Sequence, residues 1–182
     1  MNNQIYAWHF VGNILRNGDP IPPDGELLRY DGDLVMCEAG LHASVRIIDA
    51  LTYAPGSTVC RVVCSGDMIK AAGKLVSSER RIVWRIDGTV LLRSFARWCA
   101  LTVIDNWDAP RVVSEYLETG NECLRAAARD AARAAACAAR DAAWGAPCAA
   151  ARDAAWGAAC AAMNVELTEM TKRQHGLQGN KT

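Results

Sequence analysis

The alternation of apolar and polar positions predicts several strands in the first half of the chain. Residues 5–10, Ile-Tyr-Ala-Trp-His-Phe, indicate a first strand, and a short apolar run at 34–37 indicates a second. The β-branched run at 58–64 is typical of a buried strand, and it is followed by the turn residues Ser-Gly-Asp. Residues 81–86 alternate as a half-buried strand does. These patterns predict a small mixed or antiparallel sheet.

Apolar residues at helical spacing follow two of these strands. Ser44 is a predicted N-cap for a helix that carries Ile47, Ile48 and Leu51 on one side and ends at the Ala-Pro-Gly sequence that follows. A second amphipathic helix is predicted over residues 89–104, and a short one after it closes the first domain. We therefore predict an α+β domain over residues 1–120.

Residues 126–162 have a different pattern, because 22 of these 37 positions are Ala. Arg-Asp pairs begin at 129, 140 and 152, and a step of about eleven residues returns a side chain to nearly the same helix face. Pro147 is expected to break the helix. The sequence thus predicts an Ala-rich helical hairpin over 121–176, which mediates a homo-oligomer, and a disordered tail over 177–182.

Composition and charge exclude several classes of function. The chain has 20 basic and 20 acidic residues, and this neutral balance disfavours a nucleic-acid binder. No apolar segment is long enough to predict a membrane span. Eight Cys without a secretory signal indicate reduced thiols in the cytoplasm, and no Cys/His cluster or phosphate-binding motif predicts a metal or a cofactor.

The candidate functional residues lie on or near the predicted strands. A pocket is expected between the first strand and residues 40–53, where aromatic rings, including Trp84, could stack on a base and His or Arg side chains could contact phosphate. Gly40 is expected to permit close backbone approach, and the predicted helix N-terminus at Ser44 suits an anion. Arg81 and Arg85 are predicted to share one strand face. The predicted ligand-binding residues are Trp8, His9, His42, Ser44, Tyr53, Arg81 and Arg85.

Residues 5–86 resemble an ADP-ribosyltransferase-type core. The resemblance rests on Trp8-His9-Phe10, on the Gly-Leu-His-Ala-Ser sequence from Gly40, and on the helix that leads to Tyr53. It implies that His9 holds a nicotinamide ribose, that Tyr53 stacks on nicotinamide and that Glu79 is the catalytic glutamate, which polarises the attacking hydroxyl. His42 stands where this family usually has Tyr.

The chain as a whole resembles small proteins of bacteriophages and prophages. The shared pattern is Cys-x-x-Gly-Leu-His from Cys37, then Ala-x-x-Tyr-Ala-Pro-Gly from Ala50, then an Ala-rich repeat tail. The resemblance implies a phage accessory protein in the cytoplasm of an infected bacterial cell, acting against host defence. We expect it to sequester a small nucleotide-type signal, such as an ADP-ribose derivative, without catalysis. The alternatives are an ADP-ribosyltransferase-like enzyme and a protein–protein inhibitor or scaffold that acts through the Ala-rich helices.

Overall fold

The computed structural model describes the backbone of residues 4–15, 17–142 and 149–179, and it describes their side chains except those of 136–142, 149–158 and 177–179. The strands of this described part are β1 Ile5–Val11, β2 Leu27–Arg29, β3 Leu41–Ala43, β4 Thr58–Ala71 and β5 Lys74–Asp87. Its α-helices are α1 Ile47–Thr52, α2 Thr89–Leu101, α3 Arg111–Thr119, α4 Arg125–Ala142 and α5 Ala149–Gly179. The predicted α+β class is confirmed.

The strands pair in the order β1-β4-β5-β2, and β3 pairs with the same strand, β5, that holds β2. Every one of these pairings is antiparallel. The chain just after β3 also returns to β1, because the Trp8 and Ser44 backbones exchange two hydrogen bonds of 2.7 and 2.9 Å. β1 therefore has β4 on one edge and the end of β3 on the other.

The β4–β5 hairpin is longer than the sequence pattern predicts. The expected stop at Ser65-Gly66-Asp67 is a bulge, since pairing resumes at Met68 and continues to Ala71. Gly66 adopts a φ of 71°, and the Asp67 N–H donates to Ser78 Oγ at 2.9 Å. This side-chain bond satisfies a backbone group that the ladder leaves unpaired, so the strand bends and continues.

Two local predictions are wrong. The apolar run at 34–37 is a turn closed by a bridge between Val35 and Ala39, while the neighbouring residues of β3 form the strand. The first helix begins at Ile47 with Arg46 as its N-cap, so Ser44 caps nothing. Ser44 is instead 3% exposed and pairs with β1. Ser44 pairs with β1 through its backbone, two residues before the N-cap, so its hydroxyl does not cap the helix.

The chain divides into two compact units whose boundaries differ from the predicted one at residue 120. One unit consists of residues 1–91 and 163–182, and the other consists of residues 92–162. The boundaries fall inside α2 and inside α5. The C-terminal part of α5 thus belongs to the unit that contains the sheet, where Leu167 and Thr171 are fully buried.

The Ala-rich segment is helical where it is described, in α4 and α5. The prediction of a disordered tail from residue 177 is wrong for residues 177–179, because α5 continues to Gly179. The predicted break at 145–147 lies outside the described residues. Among the described residues, no helix combines the length and the apolar character needed to cross a membrane.

Candidate ligand-binding site

The register of β1, β4 and β5 sorts the candidate side chains onto two faces of the sheet. Residues that pair directly across antiparallel strands point to the same face, and neighbours along one strand point to opposite faces. Trp8 pairs with Arg61, which pairs with Trp84. His9 pairs with Cys60 and belongs to the opposite face. The predicted site is therefore divided, with Trp8 on one side and His9 on the other.

The Trp8 face forms the wall of a cavity of about 520 Å³, a volume within the range of small-molecule sites. The sheet supplies aromatic rings and one guanidinium, and the C-terminal part of α5 supplies polar side chains from successive turns. The lining residues are Tyr6, Trp8, Val45, Arg61, Trp84, Asn164, Thr168, Lys172 and His175. The cavity lies wholly within the unit formed by residues 1–91 and 163–182.

The aromatic rings of this cavity are held in defined geometries. Trp8 and Trp84 meet edge to face, with ring centroids 5.7 Å apart and an interplanar angle of 80°. His175 stacks on Trp84 with centroids 4.3 Å apart and an angle of 22°. His175, which was not among the residues predicted from the sequence, is therefore part of the wall. A flat ring therefore fits against Trp84, and the His175 imidazole occupies that face.

Arg61 places a positive charge among these rings. Its guanidinium carbon lies 4.6 Å from the Trp8 ring centroid and 5.6 Å from that of Tyr6. Burial lowers the pKa of Arg61 below its usual value, which records the cost of removing the charge from water. No described residue places a carboxylate within ion-pair distance of Arg61, and the cavity lining contains no Asp or Glu. An anionic ligand would supply the missing counter-charge.

The α5 side of the cavity is polar. Asn164 Oδ1 accepts a 3.4 Å hydrogen bond from the Ile48 N–H, which leaves its amide hydrogens directed elsewhere. Lys172 lies 2.9 Å from Glu169, an exposed pair that competes weakly with a ligand. Gln174 donates to the Asp87 carbonyl at 2.7 Å and so fixes the end of the helix against β5. These contacts position a helix face that can donate hydrogen bonds into the cavity.

His9 lies on the interior face with the main apolar cluster. Burial lowers the pKa of its imidazole well below the ordinary value, and the nearby Arg80 and His42 lower it further. Burial also raises the pKa of the neighbouring Cys60 thiol to about 11. Both side chains are therefore neutral at physiological pH, and the arrangement is typical of a structural core.

His42 joins the loop before β3 to the sheet. Its Nε2 accepts from the Cys37 N–H at 2.8 Å, so Nδ1 carries the proton and donates to the Gly40 carbonyl at 3.1 Å. Arg80 donates to the His42 carbonyl. Gly40 has a φ of 106°, and a side chain there would meet Val76 at 2.5 Å. Gly40 thus serves loop packing, where the sequence suggested ligand approach.

The three residues of the enzyme hypothesis are not brought together. Tyr53 is 62% exposed, and its ring lies 5.1 Å from Lys74 Nζ at the start of β5. Glu79 is five residues further along this strand, roughly 16 Å away at the rise of a strand. It accepts from Ser65 Oγ at 2.8 Å, and its pairing places it on the face opposite His9.

The prediction that Arg81 and Arg85 share a face is wrong. Arg61 pairs with Trp84 and Val62 pairs with Ile82, so Val83 is an extra residue without a partner. This bulge shifts the alternation by one position between the two arginines. Arg81 is exposed on the Trp84 face. Arg85 pairs with Asp24 at 2.6 Å and donates to the Pro22 carbonyl.

Sequence reasoning missed the residues that complete the cavity, above all Arg61 and the polar face of α5. Tyr6 could have been found, since residues two apart on a strand share a face and Trp8 was already a candidate. Arg61 required the register of β1 on β4. The α5 residues are more than 75 positions from Trp84, and no local pattern links them to the sheet.

A larger cavity, of about 760 Å³, lies in the unit of residues 92–162. Its lining comes from α2, α3, α4 and the segment between α2 and α3, and it is mostly Ala, Val, Ile, Trp and Leu. Glu122 at its rim lies 3.6 Å from both Arg93 and Arg125, so these charges already have partners. The Trp8 cavity is the better candidate for an anionic ligand. Within the described residues, no group of three or more His, Cys, Asp or Glu side chains could hold a metal ion.

Comparison with protein families identifies a similarity in the first half of the chain. Residues 6–94 match the family described as a domain of unknown function (DUF7666), a span slightly short of half the chain. No curated protein and no solved structure matches the chain. The matched span includes Trp8, Arg61 and Trp84, while the α5 residues of the cavity lie outside it.

Proposed function

We propose that the unit of residues 1–91 and 163–182 captures a small nucleotide-type ligand in the Trp8 cavity without converting it. The observation that carries the proposal is Arg61, a half-buried cation stacked on Trp8 without a carboxylate partner among the described residues. Buried charges are normally compensated. A ligand phosphate beside aromatic rings would provide that compensation.

The chemistry of the lining supports a ligand that is both flat and anionic. Indole and imidazole faces stack on a base, as His175 already does on Trp84. A guanidinium binds phosphate through paired hydrogen bonds, and Lys172 adds a second positive charge. Asn164 and Thr168 can bond to sugar hydroxyls. A purely apolar ligand would leave these polar groups without partners.

Sequestration fits the arrangement better than catalysis does. The enzyme alternative needs His9, Tyr53 and Glu79 around one substrate, and these residues lie on different faces and ends of the sheet unit. A binder needs only stacking surfaces and hydrogen-bond donors. We extend the proposal to the setting that the phage resemblance implies: an accessory protein that removes a nucleotide signal of host defence, such as an ADP-ribose derivative.

Calorimetry with a ligand panel tests the proposal. AMP, ADP, ADP-ribose, NAD and cyclic dinucleotides are compared with adenosine, which has the base and the sugar but no phosphate. We expect phosphate-bearing ligands to bind more tightly than adenosine. Arg61→Gln should weaken their binding about 10- to 100-fold, because a charged hydrogen bond contributes roughly 1.5–3 kcal/mol. The adenosine affinity should change much less.

Arg81→Gln is the matched control. Arg81 is an exposed arginine on the same sheet face, outside the cavity lining, so its replacement should leave binding unchanged. An assay of NAD consumption is run beside calorimetry, and we expect none. Equal losses in both Arg variants, or NAD turnover that Glu79→Gln abolishes, contradict the proposal. Failure of every ligand to bind contradicts it too and favours the protein–protein alternative.

A further inference from the structure

A surface pair outside the cavity, Cys37 and Lys74, has a geometry that the proposed binding function does not use. Cys37 is exposed in the loop before β3, and Lys74 is the first residue of β5. Their Sγ and Nζ atoms lie 2.7 Å apart. Cys60 and Cys64, in contrast, are buried, and burial raises the pKa of both thiols.

The Sγ and Nζ atoms are closer than an ordinary hydrogen bond from nitrogen to sulfur. Sulfur has a larger radius than oxygen, so a hydrogen bond from nitrogen to sulfur is several tenths of an ångström longer than one to oxygen. A contact of 2.7 Å between Nζ and Sγ has the length of a bond to oxygen. One oxygen atom bonded to both sulfur and nitrogen would hold them at about this separation.

Both ends of the contact are positioned by the fold. Cys37 adopts a φ of 71°, and its N–H donates to His42 Nε2 at 2.8 Å. Lys74 lies over the Tyr53 ring at 5.1 Å and follows the tight turn of the β4–β5 hairpin. Contact with Cys37 raises the pKa of Lys74, so the amine carries its proton at neutral pH. The two groups meet without any rearrangement of the backbone.

We propose that Cys37 and Lys74 form a reversible oxidative cross-link in which one oxygen atom joins Sγ to Nζ. The oxidant is molecular oxygen. The thiol and the ammonium group react with one O₂ to give the S–O–N bridge, one water and one proton. The S–H bond and two N–H bonds break, and S–O and N–O bonds form. Sulfur and nitrogen each lose two electrons, and these four electrons reduce O₂.

The cross-link would tie the loop of residues 34–40 to the start of the β4–β5 hairpin. This loop packs on β5 at Gly40, where an added side chain would meet the side chains of Val76 and Leu34. Under oxidising conditions the cross-link would thus hold this loop covalently to β5. A thiol reductant would break the cross-link.

Peptide mass mapping of the full chain tests the proposal directly. Trypsin should leave residues 30–46 joined to residues 71–80, uncut after Lys74, with a mass one oxygen above and two hydrogens below the sum of the parts. Thiol titration in denaturant should count one thiol fewer than the eight of the reduced chain, and dithiothreitol should restore it. Protein kept under argon should lack the joined peptide.

Lys74→Arg retains the charge but removes the amine and should abolish the joined peptide, as should Cys37→Ser. Cys123→Ser is the control, because Cys123 is also exposed and its loss should leave the cross-link intact. Separate peptides after aeration overturn the proposal. So does a joined peptide that lacks the extra oxygen, or oxidation of Cys37 that proceeds equally in Lys74→Arg.

Discussion

Trp8 and His9 are consecutive residues with opposite roles, because the strand sends their side chains to opposite faces. Trp8 faces the cavity with Arg61 beside it, and His9 faces the apolar interior near Arg80. The sequence analysis assigned Trp8 and His9 to one ligand-binding site because they are adjacent in the chain. The alternation of a strand makes that impossible unless the site surrounds the sheet edge.

The neutral state of His9 gives a pH prediction. The pKa of His9 is lowered in the folded protein, whereas in the unfolded chain it is about 6.5. Below about pH 6.5 the unfolded chain therefore binds a proton at His9 and the folded chain does not. Stability should therefore fall as pH drops from about 6.5, by up to about 1.4 kcal/mol per pH unit. Urea unfolding of the wild type and of His9→Gln, between about pH 7 and pH 5, measures this. Parallel losses in the two proteins would show that His9 is not the cause.

At the scale of the elements, the sequence predicted the strands with strong alternation and missed features that depend on pairing. The runs that became β1 and the first half of β4 were recognised from their own residues. The bulge at Val83 was not, because an unpaired residue exists only relative to a partner strand. The Leu34–Cys37 run has strand-like composition, yet the positive φ of Cys37 closes it into a turn.

The same limit applies to the site. Trp8 and Trp84 were both considered as stacking surfaces, and both line the cavity. In the sequence, Arg61 is one polar position within a strand of mostly apolar residues. In the structure it lies beside Trp8 and lines the cavity. His175 lies among polar residues and belongs to no motif. Its contact with Trp84 depends on how α5 packs, which no local pattern encodes.

The packing of α5 in the sheet unit makes an element-scale prediction. Leu167 is fully buried, so Leu167→Ala should lower the free energy of unfolding by about 2–5 kcal/mol through lost burial and a residual cavity. Val165, two residues away, is 63% exposed, and Val165→Ala should change stability by no more than about 0.5 kcal/mol. Chemical denaturation compares the two. Similar small effects would mean that this part of α5 does not pack as described.

At the scale of the whole molecule, the chain returns to its first unit after completing its second. Residues 163–182 rejoin residues 1–91, and the Ala-rich segment lies within the intervening unit of 92–162. The sequence placed the whole of 121–176 in an assembly surface. Because Leu167 and Thr171 are buried within the sheet unit, we place the proposed homo-oligomer contact on residues 121–162.

That assembly is tested through the two Trp residues of the repeat, Trp144 and Trp156, whose side chains lie outside the described residues. Replacing both by Ala removes large apolar groups whose burial typically contributes about 2–3 kcal/mol each, so light scattering should show the oligomer dissociating. Trp107→Ala is the control: this Trp belongs to the same unit, outside the repeat, and the oligomer should persist. A wild-type protein that stays monomeric at high concentration would rule out assembly. Equal dissociation in the control would remove the repeat as its specific cause.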